Sequence, residues 1–174
     1  MYNWLLRTDH GIMEITEGSA RFGLWFVHVR WYGTVVHRVR FSRHAITGPV
    51  PVLISQYLAG QPVDLTSLVS GSPPPGEIYA RIYREVQNIP YGETVTYGEI
   101  AERAGTAPRV VGQALRRNPV PLVVPCHRVV SRTGPGGFTP DPEIKLWLLE
   151  LERRNKRSFT RQPPIENNSG ILSG

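Results

Sequence analysis

Three consecutive prolines set between glycines, in Gly71-Ser72-Pro73-Pro74-Pro75-Gly76, interrupt this chain near its middle. Such a run excludes helix and reads as a stiff linker, so the sequence is expected to fold as two units, 1–70 and 77–157, joined by 71–76. The two sides differ in pattern. Before the prolines, Phe22 to Val29 and Thr34 to Phe41 are rich in β-branched and aromatic residues around Trp31-Tyr32-Gly33, which predicts a hairpin. Residues 42–60 and 63–70 carry weaker helical or irregular patterns, so the first unit reads as a small α+β domain. After the prolines, Ile78, Ile82 and Val86, with Ile89 beyond, recur at helical spacing.

The second unit holds the clearest local signals. Tyr97 to Ala104 predicts a short helix that Gly105 ends, and Thr106 is placed to cap a second helix with Pro108 in its first turn. That helix is expected to stop before Asn118-Pro119. Two short helices across a glycine turn predict a helix-turn-helix. On the second, Val110, Val111, Ala114 and Leu115 can pack inward, while Arg109, Gly112, Gln113 and Arg116 form one stripe at i, i+3, i+4 and i+7. A mid-helix glycine costs roughly 1 kcal/mol against alanine. Either a partner backbone approaches Gly112, or another helix of this chain packs tightly against it.

Charge is distributed unevenly. The formal net charge is +6, and of 20 basic residues only Lys145 and Lys156 are lysines. Between Glu102 and Asp141 lie Arg103, Arg109, Arg116, Arg117, Arg128 and Arg132 with no acidic residue, a composition suited to phosphates. No run of 18 apolar residues occurs, so no membrane-spanning helix is expected. The first residues do not read as a signal peptide, which leaves a cytoplasmic protein as the expectation. Asp141-Pro142-Glu143 opens a last helix with Ile144, Trp147, Leu148 and Leu151 on its apolar stripe, and 158–174 is expected to be a disordered polar tail.

A single cysteine, Cys126, rules out an internal disulfide and a cysteine-rich zinc site. A lone cysteine is usually a small buried hydrophobe. Here His127 and Arg128 follow it, and a positive field favours thiolate over thiol. In a regular strand residues 126 and 127 would point to opposite sides. His127 can therefore assist only if the backbone is irregular there, or through a water. The same tripeptide could equally be a solvated strand end.

Pro125-Cys126-His127-Arg128-Val129-Val130, preceded by Asn118-Pro119-Val120-Pro121, resembles the active-site signature of the O6-alkylguanine-DNA alkyltransferases (methylated-DNA–protein-cysteine methyltransferases). Ile89 to Ala101, Pro108 to Asn118, Gly136-Gly137-Phe138-Thr139, and Lys145, Trp147 and Glu152 resemble successive segments of the same family. The resemblance runs over about 76–155. It implies an α/β two-domain fold, with a small N-terminal α+β (RNase H-like) domain and a mainly helical, winged-helix-like DNA-binding domain. It implies a single-turnover, suicide methyltransferase that moves the alkyl group of O6-alkylguanine in DNA irreversibly to Cys126, with O4-alkylthymine as a further substrate.

By the same resemblance, His127 polarises Cys126 through a water, and Glu152 orients His127. Asn118 braces the turn after the recognition helix. Tyr97 hydrogen-bonds the extruded guanine and helps to protonate it, and Arg109 fills the gap that base leaves. Gly112, Gln113, Arg116 and Arg128 belong to the DNA-facing surface, and backbone amides near Val130 and Thr139, with the Phe138 loop, line the guanine pocket. The helix-turn-helix is implied to work from the minor groove, where sequence physics alone points to the major groove. A monomer on double-stranded DNA is implied, with no cofactor. Glu152→Ala is expected to slow alkylation without unfolding the chain.

Some family members carry an N-terminal zinc site. No cysteine occurs there, and His28, His37 and His44 read as strand residues, so no metal is expected. Two other readings compete: a non-catalytic sensor of alkylated DNA, against which Cys126 argues, and a cysteine hydrolase, which needs an oxyanion hole and repeated turnover.

Overall fold

The computed structural model describes residues 4–8 and 11–159. Five strands, β1 (Trp4–Thr8), β2 (Gly11–Phe22), β3 (Trp25–Tyr32), β4 (Val35–Ser42) and β5 (Val69–Ser70), form one sheet in the order β1-β2-β3-β4-β5. The first four pair antiparallel; β5 joins the edge parallel to β4 after helix α1 (Val52–Leu58). The expected hairpin is β3–β4, turning at Gly33. Phe22, however, ends β2, and a second turn at Gly23-Leu24 separates it from β3.

Strict alternation would put Val36 and Val39 on opposite faces, yet they are 0% and 3% exposed. The pairing shifts between Arg30↔Arg38 and Trp31↔Val36, so His37 is an extra residue in β4. That bulge turns both valines inward and leaves Arg38 and Arg40 exposed.

Expected linker residues are partly tied down. The Gly71 amide donates to Val36 O at 2.8 Å, and Ser72 Oγ donates to His37 O at 2.9 Å, so the chain leaves the sheet only after Ser72. Helix α2 (Glu77–Gln87) then buries Tyr79, Ile82, Tyr83 and Val86. Its apolar stripe is centred one residue beyond the Ile78 position, because the tyrosine rings pack inward and Tyr83 Oη donates to Ala114 O at 2.9 Å.

Strand β6 (Val95–Thr96) leads into α3 (Tyr97–Ala104), where Thr96 and Glu99 form a reciprocal capping box and Gly105 closes the helix at φ 65°. Helix α4 (Pro108–Arg116) follows, so the helix-turn-helix stands as expected. Thr106 does not cap it: Ala107 is the N-cap and makes no side-chain bond, since Pro108 at the first position removes one of the amides a cap would serve.

The apolar run before Cys126 is not a strand. Residues 118–125 form a looped segment, a single 3-10 turn spans Cys126–Arg128, and β7 (Val129–Val130) pairs parallel with β6. Helix α5 (Pro142–Phe159) starts as predicted, with Asp141 Oδ1 accepting from the Glu143 amide at 2.9 Å. It extends past the expected start of the tail at 158; the remainder, 160–174, lies outside the described residues. Among the described residues no helix is long and apolar enough to cross a membrane.

An N-terminal sheet domain thus faces a C-terminal helical domain, and their apolar side chains form one continuous cluster. Phe22 meets Trp147 edge-on at 6.1 Å and Phe41 meets Phe138 at 5.7 Å, while the Val39 amide donates to Pro119 O at 2.9 Å. These contacts hold β4 against the loop that carries Cys126.

Candidate active site

A 3-10 helix turns about 120° per residue, so three successive side chains leave it in three directions. Cys126 points to one side, His127 into the core, and Arg128 to the far side. The strand-based objection to a cysteine–histidine pairing therefore falls away. The turn is braced from within its approach: Asn118 Nδ2 donates to Val124 O at 2.8 Å and Asn118 Oδ1 accepts from the Val120 amide at 3.1 Å. Between them, Leu122 is held at φ 78°, a left-handed conformation costing about 1–3 kcal/mol for a residue with a side chain. Its side chain is buried, and that burial keeps it there.

Cys126 is 7% exposed, and it lines an open cavity of about 960 Å³. Tyr97, Asn118, Phe138 and Thr139 share that wall. Arg109, Gly112, Gln113 and Arg116 of α4 form its rim, all on the one stripe read from the sequence. A Cβ added at Gly112 would meet nothing within 4 Å, so tight packing against another helix of this chain does not account for the glycine. Val39, Arg40 and Phe41 of β4 line the opposite side, which sequence reasoning missed because nothing local ties a strand of the first domain to this cavity.

Two expected members lie elsewhere. Arg128 does not face the cavity: its Nε and Nη2 donate to Glu152 at 2.9–3.1 Å, and Nη1 donates to Ile89 O at 2.7 Å. The turn's geometry sends it to the far side, where it helps to line a separate cavity of about 540 Å³. Val130 pairs with Thr96 in the β6–β7 ladder and stays outside the cavity wall, because the strand fixes its direction.

Behind the sulfur lies a buried polar cluster. His127 and Glu152 are both 0% exposed, with Nε2 to Oε1 at 2.8 Å. Glu152 also accepts from Tyr57 Oη at 2.6 Å and from the Gly92 amide at 2.9 Å. His127 Nδ1 has no partner among the described residues. Lys145, on the same buried face of α5 as Glu152, is 1% exposed and donates to Val129 O at 2.6 Å. The sequence marked Lys145 only as a matching position; its burial was not legible, since a lysine in a charged helix ordinarily points to water.

The electrostatics follow from these contacts. Burial pushes the Cys126 thiol up, and Asn118, Lys145 and the Cys126 and His127 amides only partly oppose it. The positive field expected from Arg128 is spent on Glu152. Burial also lowers His127, against the pull of Glu152, so the imidazole is neutral at neutral pH. Burial alone would raise Glu152, but the imidazole and the Arg128 guanidinium outweigh it and keep the carboxyl well below its usual range. Lys145 is pushed down to about 8 by burial, and Tyr97 is raised by burial and by the nearby sulfur. The resting site holds a thiol beside a neutral base.

Among the described residues no three His, Cys, Asp or Glu side chains cluster to hold a metal ion, and His28 Nε2 is engaged with His44 O at 2.6 Å.

Residues 77–154 match the family described as 6-O-methylguanine DNA methyltransferase, DNA binding domain. The chain is also similar to the crystal structure of Mycobacterium tuberculosis OGT in complex with DNA. That match has TM-score 0.66 and 30% identity, over 78% of this chain and 91% of that one. The chain belongs to the O6-methylguanine-DNA methyltransferase family. Among the methyltransferases with curated names, it is 54% identical over 72 residues to the methylated-DNA–protein-cysteine methyltransferase of Metallosphaera sedula, covering 41% of this chain and 46% of that protein. To the protein of that name from Methanocaldococcus jannaschii it is 46% identical over 83 residues, covering 48% and 50%. The chain spans about half the length of these two methyltransferases.

Proposed function

We propose that this chain repairs DNA by moving the alkyl group of O6-alkylguanine, and of O4-alkylthymine, once and irreversibly to Cys126. One observation carries the reading: the Cys126 sulfur opens onto the cavity rimmed by the arginine-bearing face of α4, with a neutral His127 held by Glu152 behind it.

The chemistry balances. A sulfur lone pair forms the S–C bond as the C–O6 bond breaks and its electron pair passes to guanine. The thiol gives up its proton toward His127 Nδ1, through a water, and guanine takes one up from Tyr97, which regains it from the imidazolium through solvent. The net result is a thioether on Cys126 and an unalkylated guanine still in its strand. A thioether is a poor leaving group, so each molecule reacts once. No cofactor enters. Arg109 fills the stack vacated by the flipped base, and Gly112, Gln113 and Arg116 meet the backbone, from the minor groove in the family's manner. Phe138 and Thr139 line the guanine pocket and Asn118 holds the loop. Arg128 acts through Glu152, and Val130 through its strand.

The same reading extends to a monomer in the cytoplasm, where a reducing milieu keeps the thiol free. It extends to a division into units 1–70 and 77–157 joined by 71–76. Four antiparallel strands, a helix and a parallel edge strand support an RNase H-like N-terminal domain, and the β6–β7 pair beside the helix-turn-helix supports a winged-helix-like second one.

Mixing the chain with duplex DNA bearing O6-methylguanine should add one methyl group to Cys126 per molecule, read by intact mass and peptide mapping. Binding without modification would leave the sensor reading, and repeated product release from an unmodified chain would leave the hydrolase. Arg109→Ala should lower the duplex reaction by roughly tenfold or more while sparing reaction with free O6-benzylguanine, because only the duplex demands a few kcal/mol of base extrusion. Equal losses on both substrates would remove Arg109 from base flipping.

A further inference from the structure

The imidazole–carboxylate pair has a third member, and it comes from the sheet domain. Tyr57 lies in α1, 70 residues before His127 and 95 before Glu152, and is 0% exposed. Its hydroxyl stands 2.6 Å from Glu152 Oε1 and 3.2 Å from His127 Nε2. A carboxylate only accepts, so the phenol proton is donated to Glu152 and a phenol lone pair is left facing Nε2. Burial, then the Glu152 charge, pushes the phenol well above its usual value, so it keeps that proton. Nε2 thus faces two acceptors and must carry the imidazole hydrogen, which leaves Nδ1 bare.

Resting on the alkyl-transfer reading of Cys126, we propose that Tyr57 is a positioning residue for that reaction: its hydroxyl bridges Glu152 and His127 and holds the imidazole with Nδ1 free to accept the thiol proton. Space filling does not explain the hydroxyl. A phenylalanine would fill the same space and keep the edge-on contact with Tyr91 at 6.0 Å. Nor does Glu152 need it, having Arg128 and the Gly92 amide already. A buried hydroxyl costs free energy unless bonded, and this one makes its bonds with Glu152 and with the imidazole that follows Cys126 in the chain. The sheet domain then supplies a working part of the site.

The test is Tyr57→Phe in the full chain. The single-turnover rate with free O6-benzylguanine is followed across pH, and the ring nitrogens of His127 are read by 15N NMR. The charged and titratable groups around His127 are Glu152 and Lys145 of α5, Cys126 and Arg128 of its own turn, and Tyr57, with Tyr91 edge-on to Tyr57. Without the phenol proton the carboxylate pulls harder on the imidazolium. The acid limb of the rate profile should therefore move to higher pH, and the rate should fall on the order of tenfold, as when a metal-binding imidazole loses its orienting partner. The ring shifts should move from a pure Nε2–H form toward a mixture.

Unchanged rate, profile and ring shifts would overturn the proposal while leaving alkyl transfer standing. If the variant fails to fold, the unsubstituted chain decides, because a hydrogen found on Nδ1 overturns the proposal outright and one on Nε2 upholds its geometry. A wild-type chain that takes up no benzyl group sinks the alkyl-transfer reading, and the role proposed for Tyr57 with it.

Discussion

Cys126→Ala should abolish alkyl uptake completely and leave a folded chain that still binds DNA. The loss is total because the sequence contains no second thiol to take over. The fold should survive because the turn is held by other atoms. The Cys126 amide donates to Val124 O at 2.7 Å and the Arg128 amide to Pro125 O at 3.0 Å, and Asn118 braces Val124 and Val120. Removing one sulfur beside an open cavity leaves no closed void, so the change in stability should stay near 1 kcal/mol, the centre of the distribution for point substitutions. The arginines of α4 are untouched, so affinity for duplex DNA and its fall with rising salt should match the parent. Intact mass, chemical denaturation and a salt titration of DNA binding check the three parts. Loss of binding together with transfer would make the cysteine a structural residue and defeat the assignment.

Glu152→Ala should have the second-largest effect, slowing the reaction in a chain that still folds but is less stable. Glu152 is fully buried and accepts from His127, Tyr57, Arg128 and the Gly92 amide. Truncation leaves the Arg128 guanidinium, with its side chain only 11% exposed, facing an uncompensated hole. Breaking a buried pair from one side costs about 3–5 kcal/mol. At roughly 2–4 °C per kcal/mol for a chain of this size, the midpoint should fall by about 10 °C. Alkylation should slow in parallel as the imidazole loses its anchor. Glu152→Gln, which keeps the shape but not the charge, should fall between. A variant as stable as the parent would mean that Arg128 finds water freely.

The same cluster sets the direction of the pH dependence. The folded-state value of Glu152 is depressed, so its contribution is complete above the usual 4.5 and is lost as pH falls toward the folded value. His127 is also depressed, from 6.5: the unfolded chain takes up the proton first, so acidification favours unfolding. Both signs agree. Stability should decline as pH drops below about 6.5 and again below about 4.5. In Glu152→Ala the lower step should shrink to the solvent-screened share of Glu150 and Glu99, which denaturation midpoints across pH would show.

Local chemistry made α3, α4 and the start of α5 readable. Gly105 ends α3, Pro108 opens α4, and Asp141-Pro142 opens α5, each through backbone preferences that act within a few residues. The α4 stripe was readable because helical spacing alone assigns its face. Strand β2 was hidden for an equally physical reason. Its buried centre is Gly18, where a Cβ would lie 2.1 Å from Pro49 O, so a close backbone crossing stands where a large apolar side chain would have marked the strand.

What the sequence settled by itself was therefore the set of short-range structures and the identity of the one thiol with its imidazole neighbour, because caps, periodicity and adjacency need no distant contact. Tertiary structure alone decided which way that neighbour faces. A 3-10 turn stands where a regular strand would have set residues 126 and 127 on opposite sides, and it turns Arg128 away from the cavity and onto Glu152. Chain folding also brings β4 and Lys145 toward the sulfur, and Tyr57 to the imidazole, from positions that no local pattern links to them. Burial and charge at that point depend on everything packed around it, and such sums are fixed only once the two domains close on each other.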